Sequence, residues 1–331
     1  MSRLGIAVSG GPSPAEIIDL VTLAEDLGYE SAWVAEGHGG DQFAILSGCA
    51  MRTSSITLGT AISSVYVRSI PTIAMAAASV DDISQGRFIL GLGSSHKVQV
   101  VLEHDVVYAK PITRLRESVE IVRTLLRTGE VQYRGETVWI ENFDFWFTPL
   151  RPEIPIYASA VFPKMTAVCG EIADGIILTR STLKTGGEVR RLLAEGAART
   201  DRDPSNITVS TLLPTAVADT RQEALDMMRP GLALYAGFFP RYNRLIAGHG
   251  FAEEAATVAE AWAMGDRAGA ERAVTDAMID ATSIVGTPEQ CRGQLEAYRE
   301  SGIDLPIISP FARGPNAKAT FEAAIRACAP R

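Results

Sequence analysis

Ser9-Gly10-Gly11-Pro12-Ser13-Pro14, written SGGPSP, joins the first apolar run of the chain to its first helical pattern. The run before it, LGIAV (Leu4 to Val8), reads as a buried strand. The run after it, PAEIIDLVTLAEDLG, reads as a helix opened by Pro14 and closed by Gly28. Strand, tight turn and helix begin either a doubly wound sheet or a closed barrel. A doubly wound nucleotide-binding sheet puts GxGxxG at this turn, so that backbone N–H groups face a pyrophosphate. SGGPSP matches that pattern poorly, and its prolines remove donors. The turn favours the barrel.

The rest of the chain repeats the unit. SAWVAE is a second strand, and Asp41 caps a helix running to about Met51. ITLGTAI is the third strand, followed by an alanine-rich helix after Pro71. RFILGLG is the fourth, followed by the amphipathic TRLRESVEIVRTLLRTG. IPIYASA, DGIILT, ITVSTLLPTAV and LPIIS read as strands five to eight, each with a helical pattern behind it. Eight strand–helix units imply a parallel sheet, and eight is the number that closes a (β/α)8 TIM barrel. Two stretches break the rhythm. Residues 130–148, which contain VQYRGETVWIENFDFWF (131–147), alternate around an Arg-Gly turn and read as a hairpin after the fourth helix. Residues 219–280 are helical and follow strand seven. Both are expected as insertions on a single barrel domain spanning residues 1–331. The hairpin aromatics Trp139, Phe143, Phe145, Trp146 and Phe147 are expected to pack it against the barrel, with a lid or dimer contact as the alternative.

Composition narrows the function. With 331 residues, 47% hydrophobic, the chain can bury a large core. A net charge of −8 argues against a nucleic-acid binder. Cys49, Cys169, Cys291 and Cys328 lie far apart, with no CxxC and no histidine at metal spacing, so neither a disulfide framework nor a metal site is expected. The first residues lack a long apolar signal region, and no apolar run approaches the roughly 18 residues of a membrane span. A cytoplasmic protein is the expectation.

In a TIM barrel the active site is built from the loops at the C-terminal ends of the strands. Those ends carry Glu36 and His38 after strand two, and Ser63, Ser64, Tyr66 and Arg68 after strand three. Gly91, Gly93, Ser94, Ser95, His96 and Lys97 follow strand four. Ser159, Ala160 and Lys164 follow strand five, Thr179, Arg180 and Ser181 strand six, and Ser309 and Arg313 strand eight. Together they make a polar, somewhat basic mouth. His38 is set among glycines, which allow backbone to approach a ligand, with a carboxylate two residues away to orient the ring. Gly91 and Gly93 sit at the exit of a buried strand, where close packing of a ligand or a neighbouring strand requires them. His96 is a candidate ligand contact and Glu103 a candidate acid, while His104 and His249 read as surface or packing residues.

These segments, in this order, resemble the bacterial-luciferase-like flavin and deazaflavin oxidoreductases over almost the whole chain. LVTLAEDLGYESAWVAEGH is similar to that family's first helix and second strand. ITLGTAISSVYVRSIPTIAMAAASVDDISQGRFILGLGSSHK is similar to its most recognisable block. IPIYASAVFPKMTAVCGEIADGIIL and SIVGTPEQCRGQLEAYRESGID are similar to its later strands and C-terminal helix. YVRS, KPITRLRE and a histidine at the strand-two exit are closest to the coenzyme F420 branch, with the methylenetetrahydromethanopterin reductases the nearest relatives.

The resemblance implies a commonly dimeric barrel that binds coenzyme F420, an 8-hydroxy-5-deazaflavin, with FMN as the alternative. It implies hydride transfer between the deazaflavin and an electrophilic C=C, C=N or C=O of a small organic, possibly pterin-like, substrate. The ring would lie over a bulge at Thr60 to Ser63, with a non-proline cis bond at Ala61-Ile62. Backbone and hydroxyls at Ser63, Ser64, Ser159 and Ala160 would hold the ring and ribityl chain, beside Gly93, Ser94 and Ser95. Lys97, Lys164 and Arg68 would take the phosphate and acidic tail. His38, backed by Glu36, would handle the proton. The chain departs from the reductases in separating Glu36 from His38 by Gly37, and in carrying Ala7 where they have a first-strand carboxylate. An FMN-dependent monooxygenase of a two-component system and a catalytically idle flavin-binding paralogue are the competing readings.

Overall fold

The computed structural model describes residues 3–8, 10–312 and 314–330. Eight parallel strands close into a barrel: β1 (Gly5–Val8), β2 (Ser31–Val34), β3 (Thr57–Thr60), β4 (Phe88–Gly93), β5 (Ile156–Ser159), β6 (Gly175–Thr179), β7 (Thr208–Val217) and β8 (Leu305–Pro310). Each pairs with the next, and closure comes where β8 returns to β1, with Gly5 opposite Ile307. SGGPSP serves this barrel through its end: Ser13 caps the helix Pro14–Asp26. Its Oγ accepts from Glu16 N–H while the Glu16 carboxylate accepts from Ser13 N–H at 2.8 Å, and Pro14 takes the position where no donor is required. Ser9 lies outside the described residues.

The barrel interior is filled by large side chains set against glycines. Trp33 points inward, fully buried, with its Nε1 donating to Ser31 Oγ at 2.9 Å. A Cβ on Gly59 would overlap the Trp33 ring, and one on Gly175 would stand 2.6 Å from the Tyr157 ring. Trp33 and Tyr157 lie 5.6 Å apart and, with Ala7, Ile177, Leu305 and Ile307, form the floor beneath the mouth. Outside, the strands bury their other faces against the surrounding helices. Arg87, in the ISQGRF segment, donates to the carbonyls of Ala50, Thr53, Ile56 and Ser84. It thus ties the ends of two helices to the start of β3.

Between β3 and β4 the register slips by one residue. Gly59 faces Ile89 and Ser63 faces Leu92, so four steps on one side match three on the other. The extra residue lies in the Thr60–Ile62 segment, whose Ala61–Ile62 peptide is cis. Thr60 Oγ1 completes the ladder there, donating to Gly91 C=O and accepting from Gly91 N–H, both at 2.8 Å.

Both interruptions take shape as read, with additions. The hairpin pairs Glu130–Arg134 with Trp139–Asp144. Phe143 and Phe145 pack on the main core, whereas Trp139 and Trp146 are exposed. The stretch after β7 forms helices Arg221–Phe238, Pro240–Gly248, Ala252–Ala263, Arg267–Ala273 and Asp276–Thr282 around a second core of Leu225, Met228, Leu232, Ile246, Val258 and Met278. Periodicity did not reveal the short helix Lys97–Leu102, or the strand Ile284–Gly286 that extends the sheet beside Thr215–Val217. Strand two ends at Val34, two residues before Glu36. Among the described residues no helix is long and apolar enough to cross a membrane.

Candidate active site

A cavity of about 720 Å3 opens at the C-terminal end of the barrel. Small residues make up much of its lining: Ala7, Gly10, Gly11, Ala35, Gly37, Gly39, Ala61 and Ala160. Gly10 and Gly11 hold φ of 121° and 108°, and a Cβ on Gly11 would overlap the Ala312 carbonyl. Small residues of this kind leave room for a flat, wide ligand against backbone. Hydroxyls are placed around it by Ser64, Ser94 and Ser159, with Ser95 (φ 54°) at the next turn. A tricyclic ring with a polar chain fits both this shape and these donors.

The strand-exit residues converge in part. Glu36, His38, Ala61, Ile62, Ser64, Ser94, Ser95, His96, Ser159, Ala160, Lys164, Thr179, Arg180 and Ser309 line the cavity. Ser63, Arg68, Gly93 and Lys97 are not among its lining residues, and the packing of three of them gives the reason. Ser63 is fully buried behind the bulge, where it pairs with Leu92. Gly93 is the close-approach point for the bulge itself: a Cβ there would sit 2.8 Å from Ile62 Cγ1 and would overlap Ser159 Oγ. At Gly91 a Cβ would overlap Thr60 C=O. Of the two readings of these glycines, packing of a neighbouring strand accounts for both. Arg313 lies outside the described residues.

Two expected roles change. Glu36 does not back His38. Its Oε2 accepts from Ser64 N–H at 2.7 Å and its Oε1 accepts from Arg68 Nε, so it braces the bulge from the side. Arg68 is held by Glu36 and Asp41, with its guanidinium over the Phe43 ring at 5.3 Å, and its charge is spent on these two carboxylates outside the cavity lining. Burial opposes its charge, but the two carboxylates outweigh it and raise its proton affinity. Asp41 answers in the other direction. Burial pushes it up, and Arg68 together with two helix N–H groups, Phe43 and Ala44, brings it below the usual carboxylate range. The partner of His38 is Glu103, whose Oε2 lies 3.0 Å from Nε2, and the His38 side chain is 76% exposed.

On the opposite wall the insertion contributes what periodicity could not assign. Tyr235, Phe239, Arg241, Tyr242 and Arg244 line the cavity beside Leu212 and Pro214 of β7. His96 packs against Phe239 and Tyr242, with ring centroids at 4.6 and 4.9 Å. Burial, together with Arg241, pushes His96 down to about 4. It is therefore a neutral ring at physiological pH. His249, read as a surface or packing residue, has its Nε2 3.1 Å from the Arg180 carbonyl oxygen.

A closed barrel with a backbone-floored cavity at its C-terminal mouth, ringed by hydroxyls and cations, is the architecture of a barrel enzyme that binds a large flat cofactor or substrate. A sequence profile of the luciferase-like monooxygenases matches residues 1–305, and the chain belongs to that family. It is 28% identical over 308 residues to a 5,10-methylenetetrahydromethanopterin reductase of Archaeoglobus fulgidus, covering 91% of each chain. It is 27% identical over 332 residues to a putative coenzyme F420-dependent oxidoreductase of Mycobacterium tuberculosis, covering 93% of this chain and 94% of that one. Among solved structures it resembles the coenzyme F420-dependent tetrahydromethanopterin reductase of Methanopyrus kandleri, at 26% identity and TM-score 0.85, covering 98% and 97% of the two chains.

Proposed function

We propose that the chain is a coenzyme F420-dependent oxidoreductase acting on an electrophilic C=C, C=N or C=O of a small organic substrate. The observation that carries this reading is the bulge of Thr60–Ile62, bared toward the cavity by Ala61 and braced by Glu36, Ser64 and Gly91. When bound, the deazaflavin supplies or accepts a hydride. Ala61, Ile62 and Ser64 would support the ring, while Ser94, Ser95, Ser159 and Ala160 would hold the polar chain. Lys164, which stands at the start of helix Pro163–Ile172, would take the phosphate. The mouth positions the substrate against the ring and excludes water with Tyr235, Phe239 and Tyr242. Glu103, 3.0 Å from His38 Nε2, orients the imidazole and leaves Nδ1 to hold or deliver the proton. Relatives named for the same cofactor support the reading. A homodimer in the cytoplasm is the proposed setting, and sedimentation tests the assembly.

The family's description as monooxygenases favours, as a second reading, FMN and oxygen chemistry at the same floor. Turnover separates the roles. With reduced F420 and a panel of aldehydes, ketones, imines and enones, His38→Ala should keep cofactor affinity within a few-fold and lose about 100-fold or more in turnover. Lost affinity with normal turnover at saturation would contradict the role given to His38.

A further inference from the structure

The wall formed by β6, β7 and the insertion carries positive charge that no ion pair among the described residues neutralises. Arg180 is 3% exposed and lines the cavity, yet its Nε and Nη1 are buried without a hydrogen-bond partner. What it has is the Tyr235 ring, 4.3 Å from Cζ. A buried cation with unfilled donors is costly unless an anion completes it. Its backbone is equally constrained. Arg180 is a non-glycine residue at φ 49°, held there because its carbonyl faces His249 Nε2 at 3.1 Å and the next carbonyl, Ser181, accepts from Tyr298 OH at 2.6 Å. Residues pinned in this region of φ cluster at ligand sites.

The surroundings point the same way. Arg241 and Arg244, both in helix Pro240–Gly248, line the same cavity and stack on Tyr108 and Phe162 at 5.5 and 4.1 Å. Neither makes an ion pair among the described residues. Tyr242 feels the charge of both Arg180 and Arg241. The carboxylate that lines the cavity, Glu36, is already held by Arg68 and Ser64 across the barrel. In a ring of eight, β6 stands four strands from β2, so Arg180 faces His38 across the mouth. The cofactor reading uses the β3–β5 sector and leaves the β6–β8 sector for the second reactant.

We propose that Arg180 anchors an anionic group of the substrate, a carboxylate or a phosphate monoester, with Arg241 and Arg244 adding positive potential. This inference rests on the hydride-transfer reading only for the word substrate. The anchor presents the uncharged, reactive end of the molecule toward the centre of the mouth and His38. It restricts the substrates to acids and phosphate esters over neutral carbonyls of the same shape.

The test is calorimetric titration with phenyl phosphate and with benzoate, using benzyl alcohol as the neutral control, on protein with and without F420. Wild type should bind at least one anion and not the alcohol. Arg180→Met should weaken that anion by about tenfold or more, with partial recovery in Arg180→Lys. F420 affinity of Arg180→Met should stay within about threefold. Without ligand, Arg180→Met should melt no lower than wild type, because the unpaired buried charge is gone and the side chain still covers Tyr235. Failure of wild type to bind either anion overturns the proposal, as does undiminished anion binding by Arg180→Met. Loss of F420 affinity in Arg180→Met assigns the residue to the cofactor phosphate and overturns it too. A lower melting point with unchanged anion binding makes Arg180 structural. If wild type ignores F420 yet binds phenyl phosphate through Arg180, the anion site stands and the hydride-transfer reading falls.

Discussion

The two sides of the mouth are built on opposite terms. On the β2–β4 side charges are spent on the protein itself: both Glu36 oxygens, the Arg68 guanidinium and Asp41 are engaged with one another or with backbone N–H groups. On the β6–β7 side Arg180, Arg241 and Arg244 face the cavity with aromatic rings as their neighbours. The first side is a scaffold that has to hold one backbone shape before any ligand arrives. The second is a surface whose electrostatics are completed from outside. Perturbing the first should cost stability, and perturbing the second should cost affinity.

The largest effect is expected at the scaffold's tightest point. Gly91→Ala places a Cβ onto the Thr60 carbonyl, backbone against backbone, where no side chain can yield. It should cost about 3 kcal/mol or more in urea unfolding and abolish cofactor binding. A Gly91→Ala protein as stable as wild type would show that the bulge does not depend on this close approach. Glu36→Gln comes next. It leaves Arg68 without its closest carboxylate and weakens the acceptor for Ser64 N–H, at a cost of about 2 kcal/mol, with cofactor affinity falling in step.

Acid gives a smaller effect, and a sharper one for the open side. His96 binds its proton less readily folded, at about 4, than unfolded, at about 6.5. The unfolded chain therefore takes up protons first as pH falls, and the stability His96 contributes above about pH 6.5 is lost on the way down toward 4. From pH 7 to pH 5 this amounts to about 2 kcal/mol at most, and His96→Gln should flatten that part of the melting profile. Arg241→Gln removes the second of the two causes and should make the loss shallower. If the wild-type profile is flat between pH 7 and 5, His96 is not held neutral by its surroundings.

How much of this could be read from the sequence follows the same divide. Strand–helix alternation, the poor nucleotide turn SGGPSP and the two interruptions led to the barrel because they are local signals, each confined to a few neighbouring residues. The Ala61–Ile62 cis bond was reached through resemblance, since no local propensity marks it. Pairing was not legible. Glu36 lies two residues from His38 yet turns to Arg68, because the loop after β2 lays its carboxylate against the bulge; His38 meets Glu103, 65 residues on. Arg180 was named as a strand-exit residue without a role. Its lack of a partner is a property of burial, which the sequence hinted at only by setting an arginine directly after the apolar GIILT.

On the proposed reading, the bulge and its glycine-rich surroundings form the seat of a deazaflavin. Titrating the purified protein with oxidised coenzyme F420 and, in parallel, with FMN, followed by fluorescence quenching, tests it directly. Micromolar binding of F420, with FMN weaker by about tenfold or more, is the expected result. A preference for FMN, or no binding of F420, would contradict it.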